Sequence, residues 1–325
     1  MTWLIWRQQR RQAIAVVVAL IVAAALLVAS GLEILSTYHT ALRTCSTSMG
    51  GCSHLDGQVF QGGQYSRFFD LVDAVGFLVP LALALFWGAP LLAREFEEGT
   101  HRLAWAQSVT RLRWLGTKLA CTLGAAVVCA GVLSGLVTWW YHPVNAVQQN
   151  RFGSVVFDTQ ALVPVGYAVF GVAVGCLMGT LLRRTVPAMG ATLLIWGFVR
   201  YVFDEYLRPH LLPTHTVLAS ITKAFGNTPA GPGSWVLGST LVNGAGRMLP
   251  GAKIDPAQIP AACRAVYYSD NGLSSCLANH GYHYLVRFQP ASNYWPAQGI
   301  ELAIYVVLAA ALVGLTCWKV ARADA

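Results

Sequence analysis

Charged residues are scarce in this sequence, making up 11% of its 325 positions where a soluble domain carries about 25%. An ordinary water-soluble enzyme is therefore a poor reading. The nucleotide-binding pattern Gly-x4-Gly-Lys-Ser/Thr occurs nowhere, and Leu133, Ser134 and Gly135 lie inside an apolar run, so the chain is not expected to bind ATP itself. A Gly-x-Ser-x-Gly elbow and a His-Glu-x-x-His helix are missing too, which removes two common hydrolase signatures. No carboxylate pair sits in the middle of an apolar run, as a proton-coupled carrier would use. Glu33, Asp70, Asp73, Asp204, Glu205 and Glu301 all fall near run ends and read as solvated. The 22 Lys and Arg exceed the 14 Asp and Glu by eight, but they form no single patch, so nucleic acid is not an expected partner.

Apolar residues are abundant instead, at 55% with a mean hydropathy of +0.52. That surplus is more than a soluble core of this length buries, and it points to a polytopic membrane protein. A helix crossing about 30 Å of hydrocarbon needs about 20 apolar residues. Four uncharged runs meet that length: Ala13 to Leu32, Ala74 to Ala93, Leu119 to Tyr141 and Ala161 to Leu182. Two are shorter. Thr185 to Val199 can extend through Phe203 if Arg200 snorkels outward, and Leu302 to Trp318 follows Glu301. The expected fold is all-helical, with six spans and a long extracellular segment between spans five and six.

Basic residues near span ends are retained in the cytoplasm, so their distribution orients the chain. Arg7, Arg10, Arg11, Arg94, Arg102, Arg111, Arg113, Lys118, Arg183, Arg184, Lys319 and Arg322 fall on one side. The opposite short loops hold Arg43, Arg67 and Arg151. Both termini are thus expected in the cytoplasm of a multi-pass cell-membrane protein; five spans would strand Lys319 and Arg322 outside. Residues 1–12, with Trp3, Leu4 and Trp6 beside arginines, read as an amphipathic elbow in the interface, in preference to a cleaved secretory signal. The rest, 13–325, reads as one permease domain with an external loop 36–70, a cytosolic loop 94–118 and an external cap 207–298.

The eight cysteines split evenly under this topology. Cys121, Cys129, Cys176 and Cys317 fall in spans, whereas Cys45, Cys52, Cys263 and Cys276 fall outside, where thiols oxidise readily. Proximity in sequence favours Cys45–Cys52 and Cys263–Cys276, two of the possible pairings. Zinc competes, because His54 lies near Cys52 and His280 near Cys276, but neither loop alone completes four ligands and no metal site is expected. His280 and His283 in a His-Gly-Tyr-His run read as cap surface. Leu211 to Ile221 is apolar enough to dip into the outer leaflet as a re-entrant piece.

The loop from Arg94 to Lys118 is the most informative stretch. Glu95, Glu97 and Glu98 lead, Gly99 turns, Thr100 can cap a short amphipathic helix that carries Arg102, and Ser108, Val109, Thr110 and Arg111 lead into span three, with Thr110 as its cap. With these elements the chain resembles the ABC-2 type transporter permeases, particularly actinobacterial members that join spans two and three by an acidic Glu-x-Gly-Thr segment, a short helix and a Ser-Val-Thr-Arg segment. The resemblance implies a six-span exporter subunit without catalytic residues. It also implies a separate ABC ATPase subunit that uses ATP and Mg and docks on this loop, with coupling carried by Glu95, Glu97, Glu98, Gly99, Thr100, Arg102, Ser108, Thr110 and Arg111. A second permease subunit, identical or not, completes the assembly in contact with membrane lipids, and a hydrophobic or amphipathic cargo is expected. The rival readings are a membrane-embedded enzyme that uses the external segment and a scaffold or signalling protein that moves nothing.

Gly171, Gly175 and Gly179 recur every four residues in span four, and Gly131 and Gly135 do so once in span three. Small residues at this spacing let helix backbones approach closely, either within one bundle or between subunits. Pro80, Pro90, Pro164 and Pro187 are candidate kinks that shape a cavity, or static packing features.

Overall fold

The computed structural model describes residues 2–46, 66–99, 110–148, 150–221, 230–249, 259–264, 266 and 270–322. The chain divides into two compact units, one of Met1–Gln148, Ser154–Glu205 and Gln298–Ala325, the other of Gln149–Gly153 and Tyr206–Ala297. Among the described residues, six helices are long and apolar enough to cross a membrane: Val16–Thr44, Phe69–Glu97, Arg111–Trp140, Val163–Leu182, Thr185–His210 and Ala291–Arg322. These are spans one to six below.

Span one belongs to a single helix, Thr2–Ser46, so residues 2–12 continue its ladder rather than forming a separate element. At 1.5 Å per residue its 45 residues reach roughly 68 Å, well beyond the hydrocarbon. Span two is Ser66–Leu83, a π-helical segment Ala84–Gly88, then Ala89–Glu97. The π turn falls between Pro80 and Pro90. Pro90 has no N–H to donate and its ring crowds the carbonyl four residues back, and a widened turn relieves that clash.

Span four is the centre of the bundle, with 72% of its most apolar window buried against 17% for span one. Its glycines explain how neighbours come so close. A Cβ at Gly175 would lie 2.5 Å from the Ala89 backbone nitrogen, and one at Gly179 would lie 2.7 Å from the Ala89 carbonyl oxygen. At Gly171 it would meet Ala84 Cβ at 2.7 Å. The glycine face of span four is thus occupied by span two of the same chain, at its π turn.

Two helix starts in this unit are satisfied by side chains far away in sequence. The first N–H groups of a helix have no partner within it. Gln298 Oε1 accepts from Leu162 N at 3.1 Å and Val163 N at 3.0 Å, so span six caps span four. Glu97 Oε2 accepts from Thr185 N at 3.0 Å and Thr185 Oγ1 at 2.8 Å, so span two caps span five. Span three fixes the turn before span four: Ser134 Oγ donates to the Ala161 carbonyl, and Thr138 Oγ1 accepts from Ala161 N at 2.8 Å.

The second unit is not helical throughout. Strands β1 (His215–Ser220), β2 (Trp235–Val242) and β3 (His283–Gln289) form an antiparallel sheet in the order β1-β3-β2. Leu211–Ile221 therefore does not form a re-entrant piece: most of it is edge strand β1, whose ladder is filled from one side by β3. Ile221, Leu241, Ile259, Cys263 and Leu277 make this unit's core. Phe152 stacks on Trp235 with ring centroids 5.7 Å apart and meets the Tyr294 ring edge-on at 5.6 Å. Cys263 and Cys276 are disulfide-bonded, with Cα atoms 5.7 Å apart. The other expected pair, Cys45–Cys52, lies outside the described residues.

Candidate functional site

One end of the helical bundle gathers the described part of the Arg94–Lys118 loop. Arg94 Nε donates to Glu98 Oε1 at 2.7 Å, an exposed pair one turn apart. Gly99 takes φ +69°, a left-handed turn that favours glycine and ends span two. Glu95 reaches across to Lys118 in the second turn of span three, where the ammonium is buried and also lies 4.7 Å from the Trp114 ring centroid. Thr110, extended at φ −64° and ψ 142°, accepts a long 3.4 Å hydrogen bond from Arg113 N, and Arg111 is the first residue of the helix it caps. Thr100, Arg102, Ser108 and the helix expected between them lie outside the described residues.

The acidic residues thus have separate partners: Glu95 holds span three, Glu97 holds span five and Glu98 closes back on its own helix. Glu97, one of the residues expected to carry coupling, has both Thr185 donors on one oxygen. Thr185 was not singled out in the sequence, because the carboxylate that meets it is 88 residues away.

At the opposite end of span four lies a polar cluster that the hydropathy pattern hides. Arg200 is 5% exposed and its Nη2 donates to Asp158 Oδ2 at 2.5 Å, so it does not snorkel outward. Its guanidinium also lies 3.4 Å from the Tyr167 ring centroid. Tyr167 Oη stands 2.9 Å from Asp158 Oδ1 and 2.6 Å from Glu301 Oε1, and a phenol has one proton for which these two carboxyl groups compete. Glu301 is fully buried rather than a solvated helix end. A buried carboxylate pair does exist, then, set at the end of span four and bridged by a tyrosine. Gln298, one turn before Glu301, donates to the Phe157 carbonyl at 3.0 Å and ties the same end together. Arg200 in span five and Glu301 in span six were the available signals: each is a charge that an apolar helix tolerates when it is paired inside.

Close by, Asp73 of span two accepts from the Tyr141 hydroxyl at the end of span three.

An apolar cavity of about 470 Å3 opens between spans one, two and three. Leu20, Val79, Phe86, Trp87, Cys129 and Leu133 are among its lining residues, and the π turn of span two contributes Phe86 and Trp87. None of the described residues that line it carries a charged side chain.

In the second unit His280 Nδ1 lies 3.8 Å from both Cys263 Sγ and Cys276 Sγ. The sulfurs are bonded to each other and offer no thiolate, and the ring nitrogen is 2.9 Å from the carbonyl of Cys276, four residues earlier. The three residues are close enough to hold a metal ion only after reduction.

The profile of a family described as ABC-2 membrane transporter related matches residues 17–208, more than half of the chain. The chain belongs to this family. No curated protein and no solved structure matches it. The match runs from span one through span five and includes the Glu95–Lys118 and Glu97–Thr185 contacts, so the braced loop end belongs to the part of the permease that the family defines. Span six and most of the sheet-bearing unit lie beyond it. This is a membrane transporter subunit with a multi-pass helical domain.

Proposed function

We propose that this permease is the membrane half of an ATP-driven exporter for a hydrophobic or amphipathic cargo. A separate ABC ATPase docks on the Arg94–Lys118 side and uses ATP and Mg, and a second permease subunit completes the pore. The observation that carries the reading is the bracing of that loop. Its ends are fastened to span three by Glu95–Lys118 and to span five by Glu97–Thr185. A push on the loop is therefore delivered to three spans at once. Exposed loops with no such fastening would absorb the same push locally.

The apolar cavity between spans one to three supports the cargo class, since a wall without charge suits acyl chains and aromatic rings better than ions or sugars. Twelve basic residues on one side, against three in the opposite short loops, support a cytoplasmic position for both termini. A cysteine reporter at Ser108 is then protected from impermeant labelling in intact cells while one at Ser292 reacts, and the reverse pattern contradicts this orientation. The functional test is gentle solubilisation from native membranes followed by identification of bound subunits and assay of ATP hydrolysis. An ATPase in stoichiometric amount, whose hydrolysis depends on the permease, is the expected result. Covalent turnover of a lipid by the purified chain alone would replace the exporter with an enzyme.

A further inference from the structure

The end of the bundle that carries the braced loop holds a second cavity, of about 420 Å3, lined among others by Phe96, Thr180, Arg183, Trp318, Lys319 and Arg322. Among the described residues that line it, three are cations and none is a carboxylate, and none of the three cations forms an ion pair with a described residue. Aromatic faces hold both guanidinium groups: Arg183 lies 5.7 Å from the Phe96 ring centroid and Arg322 lies 4.6 Å from that of Trp318. Arg183 sits at φ 53° where span four stops, a left-handed position that glycine fills with less strain.

We propose that this cavity binds the phosphate headgroup of an anionic phospholipid. Depth argues for a lipid over a soluble anion. Arg183 directly follows span four, and Trp318, Lys319 and Arg322 form the last turns of span six, so the cations stand at headgroup level with a tryptophan among them. Leu181, which also lines the cavity, is 46% exposed and offers an apolar wall for the acyl chains below the phosphate. Two guanidinium groups supply planar donor pairs for phosphate oxygens, and the Lys319 ammonium adds a point charge. Basic pockets between spans on the cytoplasmic side are suited to such headgroups. The bound lipid joins the ends of spans two, four and six beside the Glu97–Thr185 contact. The proposal rests on the membrane reading but not on the ATPase, so its failure leaves the exporter reading untouched.

The test uses the full chain, delipidated in neutral detergent, and titrates phosphatidylglycerol, phosphatidylcholine or glycerol 1-phosphate while reading tryptophan fluorescence and native mass. Saturable binding of phosphatidylglycerol, at least tenfold tighter than either alternative, is expected. Arg183→Gln and Arg322→Gln each leave the other basic residues of that side in place for insertion, and each should weaken it about fivefold, the share of one basic residue near a membrane surface. Arg113→Gln removes an equal charge that does not line the cavity and should change binding less than twofold. Asp324→Asn, which removes the nearest acidic residue in sequence, should leave binding at or above the wild-type level. Equal affinity for glycerol 1-phosphate would make this a free-phosphate site and overturn the proposal. So would equal binding of phosphatidylcholine, or an equal loss in Arg113→Gln.

Discussion

Removing one member of the Asp158–Arg200 pair is expected to destabilise the bundle far more than replacing both. Both side chains are under a tenth exposed, and their contact of 2.5 Å is supported by Tyr167, which meets Asp158 by its hydroxyl and Arg200 by its ring. Asp158→Asn leaves the guanidinium buried with a neutral neighbour, and Arg200→Met leaves the carboxylate with the phenol but without its cation. Stranding one charge of a buried pair costs about 3–5 kcal/mol, whereas exchanging both for neutral groups of similar volume is often close to neutral. At roughly 2–4 °C per kcal/mol for a domain of this size, each single substitution should lower the melting temperature by roughly 6–20 °C. The double variant should recover most of that loss. The assay is thermal unfolding of detergent-solubilised protein followed by size-exclusion fluorescence, with all four proteins measured together so that the coupling energy is read directly. If the two single losses simply add in the double variant, the residues do not act as a pair and the account of this buried cluster fails.

Glu97→Ala should lower the melting temperature and raise hydrogen exchange at the first turn of span five, because Thr185 loses its acceptor. Glu97→Gln keeps a carbonyl oxygen and should restore most of the protection; equal loss in both would show that charge rather than capping matters. Gly175→Ala should cost about 1–3 kcal/mol by overpacking, since its Cβ would meet rigid backbone 2.5 Å away in span two. Gly135→Ala, with nothing within 4 Å, should instead gain about 0.5–1 kcal/mol from helix propensity, and a loss of dimer there would reveal a subunit contact.

The spans were legible because hydropathy is a property of each segment alone. Glycine spacing on span four likewise announced a close approach, although only the structure assigns it to span two. What could not be read is set by partners distant in sequence. Gln298 caps span four across 135 residues, and Glu97 caps span five across 88. Arg200 looked like a snorkelling end because nothing local reveals Asp158, 42 residues earlier. The sheet escaped notice for a related reason: β1 and β3 are short, half-buried and far apart in the chain, so neither shows a long alternating run. Cys263 and Cys276, by contrast, are 13 residues apart, close enough for sequence proximity to indicate their pairing.

The central claim is that ATP hydrolysis by a partner is delivered to the spans through the braced loop, and proteoliposomes test it most directly. The permease and its copurified ATPase are reconstituted together, and the amount of an amphipathic dye moved per ATP hydrolysed is measured for wild type and for Lys118→Met. Lys118→Met removes the buried partner of Glu95 and so loosens span two from span three. ATP-dependent movement by the wild type is expected, with the variant still hydrolysing ATP but moving several-fold less dye for each one spent. Dye movement that ignores ATP, or an unchanged ratio in correctly inserted Lys118→Met, would contradict the account.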